Sequence, residues 1–170
     1  MKDLKILAMD PGIKNYAFSI VTDKPDVIYA GHLEYPICSL KYKDLAKDVE
    51  AYKNEVCNIL TSCNLSFKDA IAIERYQSRG HKNIQIELIN VMLGVIACMF
   101  TNQVILITPS TWKNAIKRKY ATHDMYKIID KKELSPHIAD TIGIASYTMQ
   151  KYYDKDILNR LLEVEWSWQI

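Results

Sequence analysis

Lys5-Ile6-Leu7-Ala8-Met9-Asp10-Pro11-Gly12 is the stretch that decides the fold. An apolar run stops at an acid and a Pro-Gly pair, the pattern of a central strand running into a turn. Residues 16–22 alternate Tyr16, Phe18 and Ile20 against smaller side chains and read as a second strand. Residues 27–33 read as a third. Short connections make these three an antiparallel meander.

Further along, residues 40–60 have helical period, with Leu45, Val49, Tyr52, Val56, Ile59 and Leu60 on one stripe. The acids Asp44, Asp48 and Glu55 fall mostly off that stripe. Residues 70–74 form a short apolar strand ending in Glu74. Residues 84–100 predict a helix with two apolar stripes. One holds Ile84, Leu88, Met92 and Val95; the other holds Ile86, Ile89, Leu93, Ile96 and Phe100. Such a helix is buried in the domain or shared with a second chain, and Gly94 would permit close approach there. Residues 104–107 are a fifth strand, stopped by Thr108-Pro109. Residues 109–133 read as short helices and a basic connection. Ser135-Pro136 is a helix start, with Ser as N-cap and Pro in the first turn, and that helix runs to about residue 153. Leu158, Leu161, Leu162, Trp166 and Trp168 mark a final segment. The order β-β-β-α-β-α-β-α describes a mixed sheet flanked by helices in one α/β domain over residues 1–170, with 154–170 as a C-terminal extension.

Composition narrows the function. The chain has 170 residues, 49% hydrophobic and 25% charged, with a formal net charge of +2. That balance excludes a disordered acidic chain and a basic tail protein. Residues 75–132 nevertheless carry 10 basic against 3 acidic side chains, a local +7 between two acidic flanks. A basic face of this kind points to a polyanionic partner. The longest apolar run, 91–100, is about half the ~20 residues that span a bilayer. The opening apolar stretch ends in Asp10, so no signal peptide is expected and the location is expected to be the cytoplasm of a bacterial or phage-infected cell. Cys38, Cys57, Cys63 and Cys98 form no C-x-x-C pair, no zinc spacing, and read as free thiols.

Three acids stand where chemistry collects. Asp10 closes strand one, Glu74 closes strand four, and Asp140 lies in the first turns of the helix after Pro136. If strands one and four are neighbours, two carboxylates emerge side by side and the helix brings the third. Three carboxylates at one point repel unless cations are present, and hard divalent ions take oxygen ligands. Two such ions about 4 Å apart clamp the oxygens of a phosphodiester displacement. His137 shares a helical face with Asp140 at i, i+3 and is a candidate ligand, proton donor or phosphate contact.

These residues carry a resemblance. The run Ile6 to Ala17 resembles the opening strand of RuvC-type Holliday junction resolvases. Ala72-Ile73-Glu74 resembles that family's fourth-strand acid. His137-Ile138-Ala139-Asp140 resembles its final helix, where Asp or His is followed three residues later by Asp. Glu74-Arg75 with Arg79 is similar to the fungal mitochondrial branch. The resemblance implies a ribonuclease-H-like fold: five strands, three antiparallel then two parallel, flanked by helices. It implies a metal-dependent endodeoxyribonuclease that nicks four-way DNA junctions symmetrically, leaving a 5′-phosphate and a 3′-hydroxyl. It also implies two Mg²⁺ or Mn²⁺ ions, with Asp10 on both, Glu74 on one, and His137 and Asp140 on the other. Lys113 matches the family's first phosphate-contacting lysine; Lys117, Lys119 and Lys127 are candidates for the second. His137 in place of Asp implies relatively better use of Mn²⁺, which suits imidazole more than Mg²⁺ does.

The expected DNA contacts are Arg75, Tyr76, Arg79, His81, Lys82, Lys113, Lys117, Arg118 and Lys119, with Tyr76 able to stack on an unpaired base. Trp112 reads as a core anchor. The 84–100 helix is the expected homodimer element, since a four-way junction is two-fold symmetric and takes two cuts. Competing readings are a related nuclease acting on RNA or other branched DNA, a junction-binding protein that cuts nothing, and an actin-like nucleotide fold. The last lacks a second glycine-rich turn, because Gly31, Gly80, Gly94 and Gly143 are isolated.

Overall fold

The computed structural model describes residues 3–11, 16–24, 26–32, 45–65, 69–75, 84–99, 103–130 and 134–163. Five strands make one sheet: β1 (Lys5–Asp10), β2 (Ala17–Thr22), β3 (Asp26–His32), β4 (Ala70–Glu74) and β5 (Val104–Ile107). Their spatial order is β3-β2-β1-β4-β5. The pairs β1–β2 and β2–β3 are antiparallel; β1–β4 and β4–β5 are parallel. The helices are α1 (Leu45–Ser62), α2 (Ile84–Met99), α3 (Pro109–Tyr120), α4 (Met125–Ile129), α5 (Pro136–Tyr153) and α6 (Leu158–Glu163). This is the expected α/β architecture of three antiparallel and two parallel strands.

The period-2 alternation of the strands sorts residues onto two unlike faces. One face presents Ile6, Ala8, Ala17, Val21, Ala30, Ala70 and Ala72, and shares a core with Trp112, Met125, Ile142, Ala145 and Met149 of α3, α4 and α5. The other presents Leu7, Met9, Phe18, Ile20, Ile71 and Ile73, which pack with Tyr52 and Val56 of α1 and Ile89 and Leu93 of α2. Alanines on the first face let α5 lie close against β1 and β2. Gly143 continues that logic: a Cβ there would stand 2.7 Å from both the Trp112 ring and Met125 Cγ. Ser135 caps α5 by accepting from Ile138 N at 3.2 Å, with Pro136 in the first turn.

Some details differ from the sequence reading, some agree with it and some lie outside the described residues. Residues 40–44 of the first helix lie outside the described residues. Asp48, expected off the apolar stripe, is buried. The stripes of α2 do not divide as expected, because Leu88 of one and Ile89 and Leu93 of the other are all buried, while Val91 is exposed. Cys57, Cys63 and Cys98 are free thiols, and Cys98 is exposed; Cys38 lies outside the described residues. Of residues 154–163, Ile157, Leu158 and Leu161 enter the α5-side core. Trp166 and Trp168 are outside the described residues. No helix among the described residues is long and apolar enough to cross a membrane.

Candidate metal and nuclease centre

Register places the two strand acids. Met9 lies opposite Ile73 in the parallel β1–β4 pair, so the next residues, Asp10 and Glu74, come level at the carboxyl edge of the sheet. Alternation turns both toward the α5 side, the same face as Ala8 and Ala72. Asp10 is 5% exposed and Glu74 6%.

α5 starts over that edge. His137 Nδ1 donates to Asp10 Oδ2 at 3.0 Å, joining residues 127 apart in the chain. Asp140 Oδ2 accepts from Lys113 Nζ at 2.8 Å, and that ammonium also lies 4.9 Å from the centre of the Trp112 ring. Trp112 is fully buried and its Nε1 donates to Glu74 Oε2 at 2.5 Å. Each expected ligand therefore has a nitrogen donor of the chain on it or is itself that donor.

The electrostatics follow from burial. Desolvation pushes the Glu74 carboxyl up to about 7, against the Trp112 hydrogen bond, with the charges of Asp10 and Asp140 adding to the rise. Burial likewise raises Asp10 above the ordinary carboxyl value; the His137 contact and Lys113 oppose it, and Asp140 reinforces it. For Lys113, burial acts downward, but the Asp140 ion pair and the charges of Glu74 and Asp10 outweigh it, and its pKa lies above the usual lysine value. The edge is thus short of positive charge even with Lys113 in place.

Sequence reasoning named Asp10, Glu74, His137, Asp140 and Lys113, and the fold brings all five to one edge. The remaining basic residues differ in their surroundings. Arg75, Lys117 and Arg118 are exposed. Lys119 pairs with Asp156 at 2.5 Å and Lys127 with Asp124 at 3.3 Å, so both candidates for a second phosphate lysine that have an ion pair have it away from the acids. Lys117 lies in the last turn of α3, about 6 Å along the axis from Lys113. Tyr76, Arg79, His81 and Lys82 lie outside the described residues. Two participants were missed. Trp112 was read as a core anchor only, and its role on Glu74 had no signal in the sequence. His32, at the end of β3, shares a 2.8 Å hydrogen bond with Ser135 Oγ, the α5 cap. Burial, then the nearby His137, lowers its pKa, and Asp10 opposes them.

No protein-family model and no curated sequence matches the chain. Solved structures do. RuvC of T. thermophilus in complex with a Holliday junction substrate is 18% identical, with a TM-score of 0.67, over 91% of this chain and 97% of that one. A second Thermus thermophilus RuvC structure is 17% identical, with a TM-score of 0.55, over 86% and 96%. The yeast mitochondrial Holliday junction resolvase Ydc2 is 13% identical, with a TM-score of 0.60, over 94% and 80%. With its mixed five-stranded sheet and flanking helices, the chain has the RuvC-type, ribonuclease-H-like fold.

Proposed function

We propose that this chain is a metal-dependent endodeoxyribonuclease that resolves four-way DNA junctions by paired symmetric nicks. The observation that carries the reading is the convergence of Asp10, Glu74, His137 and Asp140 from three elements onto one charge-deficient edge. The shared fold of RuvC bound to a Holliday junction substrate, and of the yeast resolvase, supports the choice of substrate.

The donor set fits Mg²⁺ or Mn²⁺. Three carboxylates supply hard oxygens and His137 one imidazole. Among the described residues no group of three or more such side chains forms a ready ligand cluster. The carboxylate oxygens are instead held by His137, Lys113 and Trp112, and a metal ion held by these residues would take the place of some of these N–H contacts. Asp10 would serve both ions, Glu74 one, and His137 with Asp140 the other. Bound there, such ions would supply water activation and neutralise charge on the phosphate. The chain's own residues do the rest. Trp112 orients Glu74, and Lys113, released from Asp140, meets a phosphate oxygen. Water oxygen joins phosphorus, the bond to the 3′-oxygen breaks, and that oxygen takes a proton.

Two copies match the two-fold symmetry of a junction. The α2 face with exposed Val91, 46% exposed, is where a second copy would dock. Arg75, Lys117 and Arg118, with Tyr76, Arg79, His81 and Lys82, would meet the DNA.

The test is cleavage of a synthetic four-way junction beside matched linear duplex and RNA–DNA hybrid, with Mg²⁺, Mn²⁺ or EDTA. Paired symmetric nicks on the junction, lost in EDTA and in Asp10→Asn and faster with Mn²⁺, are expected. Cutting of hybrid alone moves the chain to the RNA-acting class, and binding without cutting under either metal makes it a junction-binding protein.

A further inference from the structure

α3 serves two sides of the molecule. Trp112 and Ile116 enter the core, and Lys113 reaches Asp140. Ser110, Asn114 and Arg118, four residues apart, share a different face. Across from them stand Tyr147, Gln150 and Lys151 of α5, and the two helices enclose a groove of about 630 Å³.

The lining of this groove is chemically one-sided. It offers two cations with hydroxyl and amide donors, and no carboxylate. The adjoining hollow includes Asp156, which Lys119 already neutralises. Elsewhere Lys24, Lys53, Lys113, Lys127 and Lys155 each sit on an acid. Arg118 and Lys151, like Lys47, Lys117 and Arg160, have no ion-pair partner among the described residues. Each lies in the last turn of its helix, where a cation complements the helix dipole. That explains why a cation occurs at each position. It does not explain why both face one acid-free groove.

Paired cations among amide and hydroxyl donors match phosphodiester oxygens. The helix that lines the groove also starts at the edge where the acids lie. α3 begins two residues after Ile107, which is level with Glu74 in the β4–β5 pair, so Ser110 lies toward the acids and Arg118 away from them. The span from residue 110 to 118 is about 12 Å of helix, the rise of three to four nucleotides at about 3.4 Å each.

We propose that the α3–α5 groove holds the phosphate backbone of one duplex arm of the substrate, next to the strand being cut. This rests on the reading of the chain as a junction nuclease. Arg118 and Lys151 are the phosphate contacts, with Ser110, Asn114 and Gln150 fixing the register of the backbone.

Binding of the full chain to a four-way junction and to linear duplex, in EDTA over a range of KCl, tests this. Each phosphate contact contributes about 0.9 to the slope of log affinity against log salt. Arg118→Gln with Lys151→Gln is expected to reduce that slope by nearly 2 and to weaken binding about tenfold or more at 100 mM salt. The loss should appear on both DNAs, because an arm is ordinary duplex. Lys24→Gln with Lys47→Gln, away from the groove, should change neither, and matching thermal melts establish that the groove variant is folded. An unchanged slope in a folded groove variant overturns the proposal, as does a loss confined to the junction, which would put the groove on the crossover. If the wild type shows no preference for the junction over duplex in EDTA, and cuts neither once Mg²⁺ or Mn²⁺ is added, the functional reading itself fails, a result separate from either of these.

Discussion

On the α5 side the sheet offers Ala8, Ala17, Ala30, Ala70 and Ala72; on the α1–α2 side it offers Leu7, Met9, Phe18, Ile20, Ile71 and Ile73. The same strands supply both faces, one residue apart. Small side chains on one face let helix backbone approach the sheet, so polar groups on α3 and α5 reach strand carboxyls directly. Large side chains on the other fill space, and there the chain packs without bringing known chemistry to the sheet. The two faces therefore answer the same kind of substitution differently.

The largest difference concerns the acids. Asp10→Asn is expected to lower junction cutting by at least about 1,000-fold, roughly 4 kcal/mol of transition-state stabilisation. It should leave metal-free stability equal or higher, because it removes a buried carboxyl that burial disfavours as an anion. Its sequence neighbour Met9, fully buried on the other face, should show the reverse. Met9→Ala would cost about 2–5 kcal/mol of stability. Single-turnover cleavage with thermal melts of both variants separates the two outcomes; equal losses of stability would erase the distinction between the faces.

Next comes pH. Glu74 has a folded pKa of about 7 against an ordinary value of 4.5. The unfolded carboxyl ionises first, so the metal-free protein loses stability as pH rises from about 4.5 to about 7, and the loss then levels off. Its size is on the order of 3 kcal/mol. Asp10, also raised by burial, acts in the same direction. Glu74→Gln keeps an acceptor for Trp112 and should flatten most of the slope. Saturating Mn²⁺ should raise the melting temperature most at the alkaline end. Metal-free melts between pH 4 and 8 that show no decline would contradict the charge deficit assigned to this edge.

The glycines give the most direct comparison. Gly143→Ala puts a methyl against Trp112 and Met125, and overpacking there should cost about 1–3 kcal/mol. It also disturbs the indole that holds Glu74, so cutting should fall along with stability. Gly94→Ala on α2 meets nothing within 4 Å and should stabilise the single chain by up to about 1 kcal/mol. If a second copy packs across Gly94, the gain turns into a weaker, concentration-dependent melt. Chemical denaturation at two protein concentrations distinguishes these.

Much of this was legible because the signals were local. β4, β5 and α5 have the bounds that their apolar runs and the Ser135-Pro136 start indicate, and Asp10 and Glu74 were visible as the last residues of strands. Alternating alanines at 8, 70 and 72 were also visible, but their meaning depends on which helix covers that face. Pairings between residues far apart in sequence left no local mark. Trp112 with Glu74 and His32 with Ser135 depend on how α3 and α5 seat on the sheet, which no periodicity encodes. Asp48 misled because its place off the α1 stripe does not set its depth; burial depends on what packs over the first turn.

The smallest expected effect tests how far the α5 side extends. His32 belongs to β3, the edge strand, yet it hydrogen-bonds the hydroxyl that caps α5. Ser135 then holds the first turn, where His137 meets Asp10. Removing the imidazole leaves the cap in place without its cross-chain tie. His32→Ala should therefore cost about 0.5–1.5 kcal/mol of stability and lower cutting by a few-fold, through looser placement of His137 and Asp140. His32→Gln, which can still hydrogen-bond Ser135, should recover most of both. Ser135→Ala should cost more than His32→Ala, because it removes the cap as well. In the double variant the His32 loss should nearly vanish, since its partner is already gone. Full additivity would mean that His32 acts independently of the Ser135 hydroxyl, and that the tie from the edge strand to the α5 cap is not what it contributes.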